Sequence, residues 1–199
     1  MNNLLLLYPK EFLSYEKFER KVTRILTNLS EYQLTFPADP NGFIKTYFKE
    51  KNAESKISNT WRFEDITHAI VFDDGEEFTE ELHELRKRAI PTRLIKIAIT
   101  RVINIKQETQ YKNLKQTATY EYIGRGSQWG NPHSMYDSGD DREEVIRKFE
   151  YDFVHDKFPH LSKADANHLA GKRLGCFCKP LACHGDILAD YLNGLDDGQ

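Results

Sequence analysis

Cysteine is scarce in this chain and confined to one place: there are three in 199 residues, and none precedes position 176. A small, odd number leaves no disulfide framework and fits a reducing compartment. Long apolar runs are missing too. The longest, Leu4-Leu5-Leu6-Leu7, falls far short of the ~20 residues of a membrane-spanning helix. It lacks a basic flank and a small-residue cleavage site, so it reads as a buried strand rather than a signal peptide, and a cytoplasmic protein with no membrane partner is expected. Neither sign of charge is in excess, with 28 basic and 31 acidic residues and a net charge of -3. A sequence-independent grip on a phosphate backbone is therefore not advertised, and nucleic acid is not supported as a partner. Internal repeats and low-complexity tracts are absent, and the length suits one compact domain or two small ones.

What is present follows an alternating order. Residues 3–8 read as a strand, and Phe18, Val22, Ile25, Leu26 and Leu29 recur at helical spacing behind Ser14, a good N-cap. Pro37, Asp39, Pro40, Asn41 and Gly42 mark a loop before a short helix carrying Ile44, Tyr47 and Phe48. Residues 66–72 form a second strand. Phe78, Leu82, Leu85 and Ala89 then give a helix whose first turn is acidic and whose last turn holds Arg86, Lys87 and Arg88, as the helix dipole prefers. After Pro91 the alternation of a third strand covers residues 92–99 and carries on through 102–105. Strand, helix, strand, helix, strand predicts a small parallel α/β domain. The polar stretch 107–119 reads as a linker, which puts the boundary near residue 106 and divides the chain into domains 1–106 and 107–199.

The second half reads as a compact α/β domain as well. Asp141 and Glu144 open a helix with Val145, Ile146, Phe149 and Phe153 on one face. A shorter helix follows at about 163–170, then a strand at 172–178 and a last helix with Ile187, Leu188, Tyr191 and Leu192, closed by Asn193-Gly194. Residues 107–199 hold 11 basic and 15 acidic side chains, net -4, which leaves +1 for residues 1–106. Neither half is a basic platform.

Two constellations could carry chemistry. In Cys176-Phe177-Cys178 the period of two puts both sulfurs on one face of a strand, and Cys183-His184 returns after a turn set by Pro180. Cys176, Cys178, Cys183 and His184 are a ligand set for zinc, although the spacing is not that of a standard finger and adjacent Cys183 and His184 bind one ion only with difficulty. Alternatively Cys183, at the start of the last helix, is a nucleophile of lowered pKa with His184 and Asp186 beside it. The plain alternative makes Cys176 and Cys178 small buried hydrophobes and gives His184 and Asp186 a capping role.

The other constellation is residues 122–132, with Gly124, Arg125, Gly126, Ser127, Trp129, Gly130 and Asn131. Glycines let a backbone approach a ligand and expose amides, Arg125 can grip a phosphate, and Trp129 can stack on a base. The pattern is neither a dinucleotide fingerprint nor a P-loop, and a tight turn with Trp129 in the core explains it equally. The other histidines read as solvated surface, only His133 adjoining a motif, and the acidic run 73–81 reads as a helix start.

These residues resemble a known family. Tyr122-Ile123-Gly124-Arg125-Gly126-Ser127 with Trp129-Gly130-Asn131-Pro132, then Arg142-Glu143-Glu144-Val145-Ile146, then Leu174-Gly175-Cys176-Phe177-Cys178 with Pro180 and Cys183-His184-Gly185-Asp186, is similar to domain-of-unknown-function 4326 of phage and bacterial proteins, over roughly residues 102–194. The resemblance implies that the glycine-rich loop and the Cys-His-Gly-Asp segment form two walls of one pocket. The first hundred residues resemble Rossmann-like nucleotide-binding domains of the lysine-decarboxylase-like and DprA-like group, through 66–72, Asp74-Gly75 and the helix before Pro91. That group takes phosphate on a glycine-rich turn after the second strand, where this chain has Phe36-Pro37-Ala38-Asp39-Pro40-Asn41-Gly42 with one glycine. The resemblance thus implies a degenerate Rossmann-like first domain. The expected function is binding, and processing by glycosidic or group-transfer chemistry, of a nucleotide or nucleoside derivative in a phage-type or bacterial protein, in the host cytoplasm for a phage. The reaction class rests on fold analogy. The competing expectation is a module that sequesters a nucleotide signal or binds a host protein, with a structural cysteine cluster.

Overall fold

The computed structural model describes residues 1–29, 31–135 and 139–198. They form two compact units, Met1–Ile97 with Gly194–Gln199, and Ala98–Asn193.

Unit 1 runs β1 (Asn2–Leu7), α1 (Tyr15–Leu26), β2 (Tyr32–Thr35), α2 (Phe43–Glu50), β3 (Ile57–Ser58), β4 (His68–Asp73), α3 (Thr79–Lys87) and β5 (Thr92–Lys96). Its sheet has the order β3-β2-β1-β4-β5 with every pair parallel, a Rossmann-like arrangement. The leucine run lies in it as β1, buried on both faces, as a parallel strand between helix layers must be. Leu5, Leu7, Ala69 and Val71 pack with Leu82 and Leu85 of α3. The opposite face holds aromatic rings from four segments, with Phe12 and Phe18 lying 4.9 and 5.5 Å from Phe72. Ser14 caps α1 by accepting from the Lys17 amide, as its position predicts.

The turn before α2 is filled from within. Both Asp39 oxygens accept amide protons, from Ile44 at 3.0 Å and Lys45 at 3.0 Å, and Tyr8 donates its hydroxyl to the same carboxylate. Burial and that bond hold the Tyr8 phenol protonated well above its ordinary range. A helix N-terminus that could receive a phosphate already holds the chain's own anion.

Unit 2 contains β6 (Arg101–Asn104), β7 (Tyr120–Tyr122), α4 (Arg142–Val154), β8 (Arg173–Cys176) and α5 (His184–Asn193), with a 3-10 turn at Lys163–Leu169. Its three-stranded sheet is β6-β8-β7, all parallel, with β8 in the middle. Trp129, Phe149, Phe153, Leu169, Leu174 and Leu188 form its core. The Asn193 side chain closes the end of α5 on Thr100, accepting from its amide at 2.8 Å and donating to its carbonyl at 3.0 Å.

The continuous strand expected over 92–105 is two strands in two sheets. β5 pairs with β4 and β6 pairs with β8, so the units part at Ile97/Ala98 whereas composition put the division near 106. The polar stretch 107–119 is not a linker but a surface loop of unit 2. Tyr111 stacks on Tyr120 at 4.5 Å, and the Lys115 and Thr117 backbones bond to Tyr122 and Tyr120. Its polarity records exposure, not freedom.

Candidate functional site

The loop 123–132 leaves the carboxyl end of β7 and the segment 177–183 leaves the carboxyl end of β8, so adjacent parallel strands deliver both motifs to one crevice. A cavity of about 190 Å³ lies there, lined among others by Arg125, Arg142, His133 and the three cysteines. The two-residue period does put the first sulfurs together, with Cys176 Sγ 3.6 Å from Cys178 Sγ. All three sulfurs lie within 4.8 Å of one another. Two sulfurs each ~2.3 Å from a tetrahedral zinc stand about 3.8 Å apart, so this triangle fits the metal in size and in donor type.

His184 stands apart from the sulfur triangle. Its Nε2 is 3.0 Å from the Ile123 carbonyl and 3.1 Å from that of Trp129, and a nitrogen facing two acceptors carries the proton. The lone pair of the neutral ring is then on Nδ1, 3.8 Å from Cys183 Sγ. Burial lowers the His184 pKa and keeps the ring neutral. Sequence reasoning offered His184 as a fourth ligand; the structure uses it to tie the glycine-rich loop to α5.

The sulfurs share their protons unequally. Cys176 is brought down to about 5, first by the Cys183 thiol donating to it and then by the Cys178 amide, against burial. Cys183 is pushed up, because its proton is held against Cys176 and because it is buried. Cys178 is raised by burial and by the charge on Cys176. Hydrogen bonding within the cluster favours the charge on Cys176, whereas the helix N-terminus alone favours it on Cys183.

Asp186 serves the helix start. Its Oδ2 accepts the Cys183 amide at 3.0 Å, Cys183 Sγ accepts the Gly185 amide at 3.4 Å, and Asp186 Oδ1 pairs with Lys179 at 2.6 Å. Cys183 thus caps the second amide of the helix with sulfur in the place of a hydroxyl, and Asp186 reaches back to the Cys183 amide as in one half of a capping box. Asn131 is equally committed, donating to the Val145 carbonyl of α4 at 2.9 Å and accepting the His133 amide at 2.9 Å.

The glycine-rich loop is a pair of tight turns, Ser127 amide to Gly124 carbonyl and Gly130 amide to Ser127 carbonyl, each at 3.1 Å. Gly126 has φ +84°, which a side chain would resist. Arg125 is exposed at the cavity. Trp129 is 1% exposed and belongs to the core, so the turn-with-core reading describes it and stacking on a ligand does not. Ser127 Oγ and Trp129 Nε1 are buried with no hydrogen-bond partner among the described residues.

Residue-by-residue reasoning passed over two side chains. Arg142 lines the cavity, donates to the Ala182 carbonyl at 3.2 Å and favours the Cys178 thiolate; its signal was its place in the Arg-Glu-Glu motif. Phe177 is 50% exposed at the same crevice, edge-on to Tyr122 at 6.3 Å with the Lys106 ammonium 5.7 Å from its ring. Its position between two cysteines was the available hint.

A parallel sheet of Rossmann-like order and a cysteine-lined crevice on a second parallel sheet define a two-domain α/β protein. The chain belongs to the minimal SLOG domain family, which matches residues 1–103, and the Domain of unknown function (DUF4326) matches residues 103–194. Both expected resemblances are thereby shown. The chain is also 46% identical over 80 residues, 39% of its own length and 72% of the other's, to an "Uncharacterized 12.4 kDa protein in nrdA-td intergenic region" of Enterobacteria phage T4. No solved structure matches the chain. The SLOG match points to a nucleotide-related binding domain at residues 1–103, and the relative itself is a phage protein. Among the described residues no helix is long and apolar enough to cross a membrane.

Proposed function

We propose that the protein binds a nucleotide or nucleoside derivative in the crevice of unit 2, beside a zinc ion held by Cys176, Cys178 and Cys183. The observation that carries this reading is the triangle of sulfurs within 4.8 Å, opening on a cavity that Arg125 and Arg142 also line. Three protein ligands leave a tetrahedral ion one open position, where zinc supplies Lewis acidity. The chain's own part is to hold and orient. The two guanidiniums offer forked donors to phosphate oxygens. Phe177 offers the exposed aromatic face that buried Trp129 lacks, and neutral His184 fixes the loop against α5. Glycosidic or group-transfer chemistry on such a ligand fits this placement.

The capping geometry of Cys183 and Asp186 favours a second reading, in which the protein sequesters a nucleotide without altering it and the cysteines serve structure. Elemental analysis of protein purified without a metal-affinity tag, with a native thiol count, tests the first. About one zinc per chain with protected thiols is expected. No metal and one fast-reacting thiol would move the chemistry to the Cys176 thiolate. A thermal-shift panel of nucleotides and nucleotide sugars tests binding, and silence across it would sink both readings. Under the processing reading, Cys183→Ser loses zinc and turnover together; under the sequestering reading, the parent chain leaves a bound nucleotide chemically unchanged.

A further inference from the structure

A second cavity, of about 840 Å³, is lined entirely by residues of unit 1. Its floor follows from register. Ile70 pairs with Arg93 and Phe72 with Ile95, so in parallel strands these side chains share one face with His68. The chain leaves the sheet after β5, the edge strand, and among the described residues of unit 1 no helix comes after it to cover that face. The wall is the flank of α1, where Lys17, Lys21 and Arg24 follow one another at turn spacing.

The charge of this groove is one-sided. Asp197 is the sole acid in its lining, and it comes from the C-terminal segment. Lys17 has a side chain only 8% exposed, and its ammonium pairs with Asp197, while Arg20 pairs with Asp196 at 2.6 Å. A buried ammonium needs such a counter-charge. Lys21, Arg24 and Arg93 pair with no carboxylate among the described residues.

We propose that this groove docks an extended acidic peptide segment of a partner protein, and that the chain's own segment 195–197 holds its Lys17 end until displaced. The C-terminal segment is itself such a peptide, a leucine followed by two aspartates, with Asp197 already seated on Lys17 of the groove and Asp196 on Arg20 of the same helix. From Lys17 to Arg24 the cations spread over about 10 Å of helix, which matches carboxylates along an extended chain better than one phosphate. Partly exposed Ile25 and Leu29, over buried Leu4, Ile70 and Ile95, give alternate apolar side chains a place to pack, and edge strand β5 offers its backbone to an added strand.

The test is fluorescence anisotropy at low salt on the full chain, with a fluorescein-labelled peptide of alternating leucine and aspartate, about ten residues long. Asp196→Asn with Asp197→Asn is expected to tighten binding about tenfold by removing the internal competitor. Lys21→Glu with Arg24→Glu and Arg93→Glu is expected to abolish it with the circular dichroism spectrum unchanged; should that variant misfold, Arg93→Gln alone is expected to weaken binding about threefold. Equal affinity with and without the two aspartates would overturn the competition, and undiminished binding in the groove variants would overturn the location. If pyrophosphate or a short oligonucleotide competes with the C-terminal segment and the peptide does not bind, the peptide assignment falls.

Discussion

The two units solve the same topological problem in opposite ways. Each is a parallel sheet, and the usual ligand position of such sheets is at the carboxyl ends of the strands. In unit 1 side chains fill that end: Ser14 caps α1, Asp39 occupies the start of α2 with Tyr8 on top of it, and Asp73 is paired by Lys96. In unit 2 the corresponding end is left open, and three sulfurs face a cavity. A shared architecture thus says where a site can be, while the residues after each strand decide whether it is one.

Metal removal should separate the units most sharply. If zinc joins the three sulfurs, a chelator is expected to lower the thermal transition of unit 2 by about 10 °C or more while that of unit 1 stays. Coincident, unchanged transitions would erase the distinction. Gly175→Ala comes next, because a Cβ there would stand 2.3 Å from Tyr120 Oη and 2.8 Å from Ile105 Cγ2. Tyr120 is fully buried under Tyr111 and cannot swing aside, so a loss of about 2 kcal/mol confined to unit 2 is expected in denaturant unfolding. Asp39→Ala tests the closed end, costing about 1 kcal/mol of unit 1 stability and letting added sulfate or phosphate stabilise the variant more than the parent. A variant indifferent to those anions would show that the cap does not stand in for a ligand. Asp186→Asn should do least, about 0.5 kcal/mol, since Asn still accepts the Cys183 amide and the lost partner Lys179 is partly solvated. A much larger loss would give Asp186 a part beyond capping.

Much of the frame was legible because it rests on local rules. The leucine run, the Ser14 cap, the charge order of α3 and the Asp141 start of α4 each express a preference that needs no distant partner, and each element stands where its pattern put it. The short strands β2, β3 and β7 were not legible, since two to four residues carry too little periodicity to be told from loop. The alternation over 92–105 was visible, but a pattern of period two does not say which sheet a residue joins.

The site divides the same way. Residue order alone was enough to gather three thiols within eight positions and to put a glycine-rich turn in the same half of the chain, because a two-residue period and a proline turn act over a few bonds. Only the folded chain could put Trp129 in the core, commit Asn131 to α4 and turn the His184 Nε2–H onto two carbonyls. The hydrogen bonds among them join residues 14 to 61 positions apart, and burial and hydrogen bonding act through space rather than along the chain.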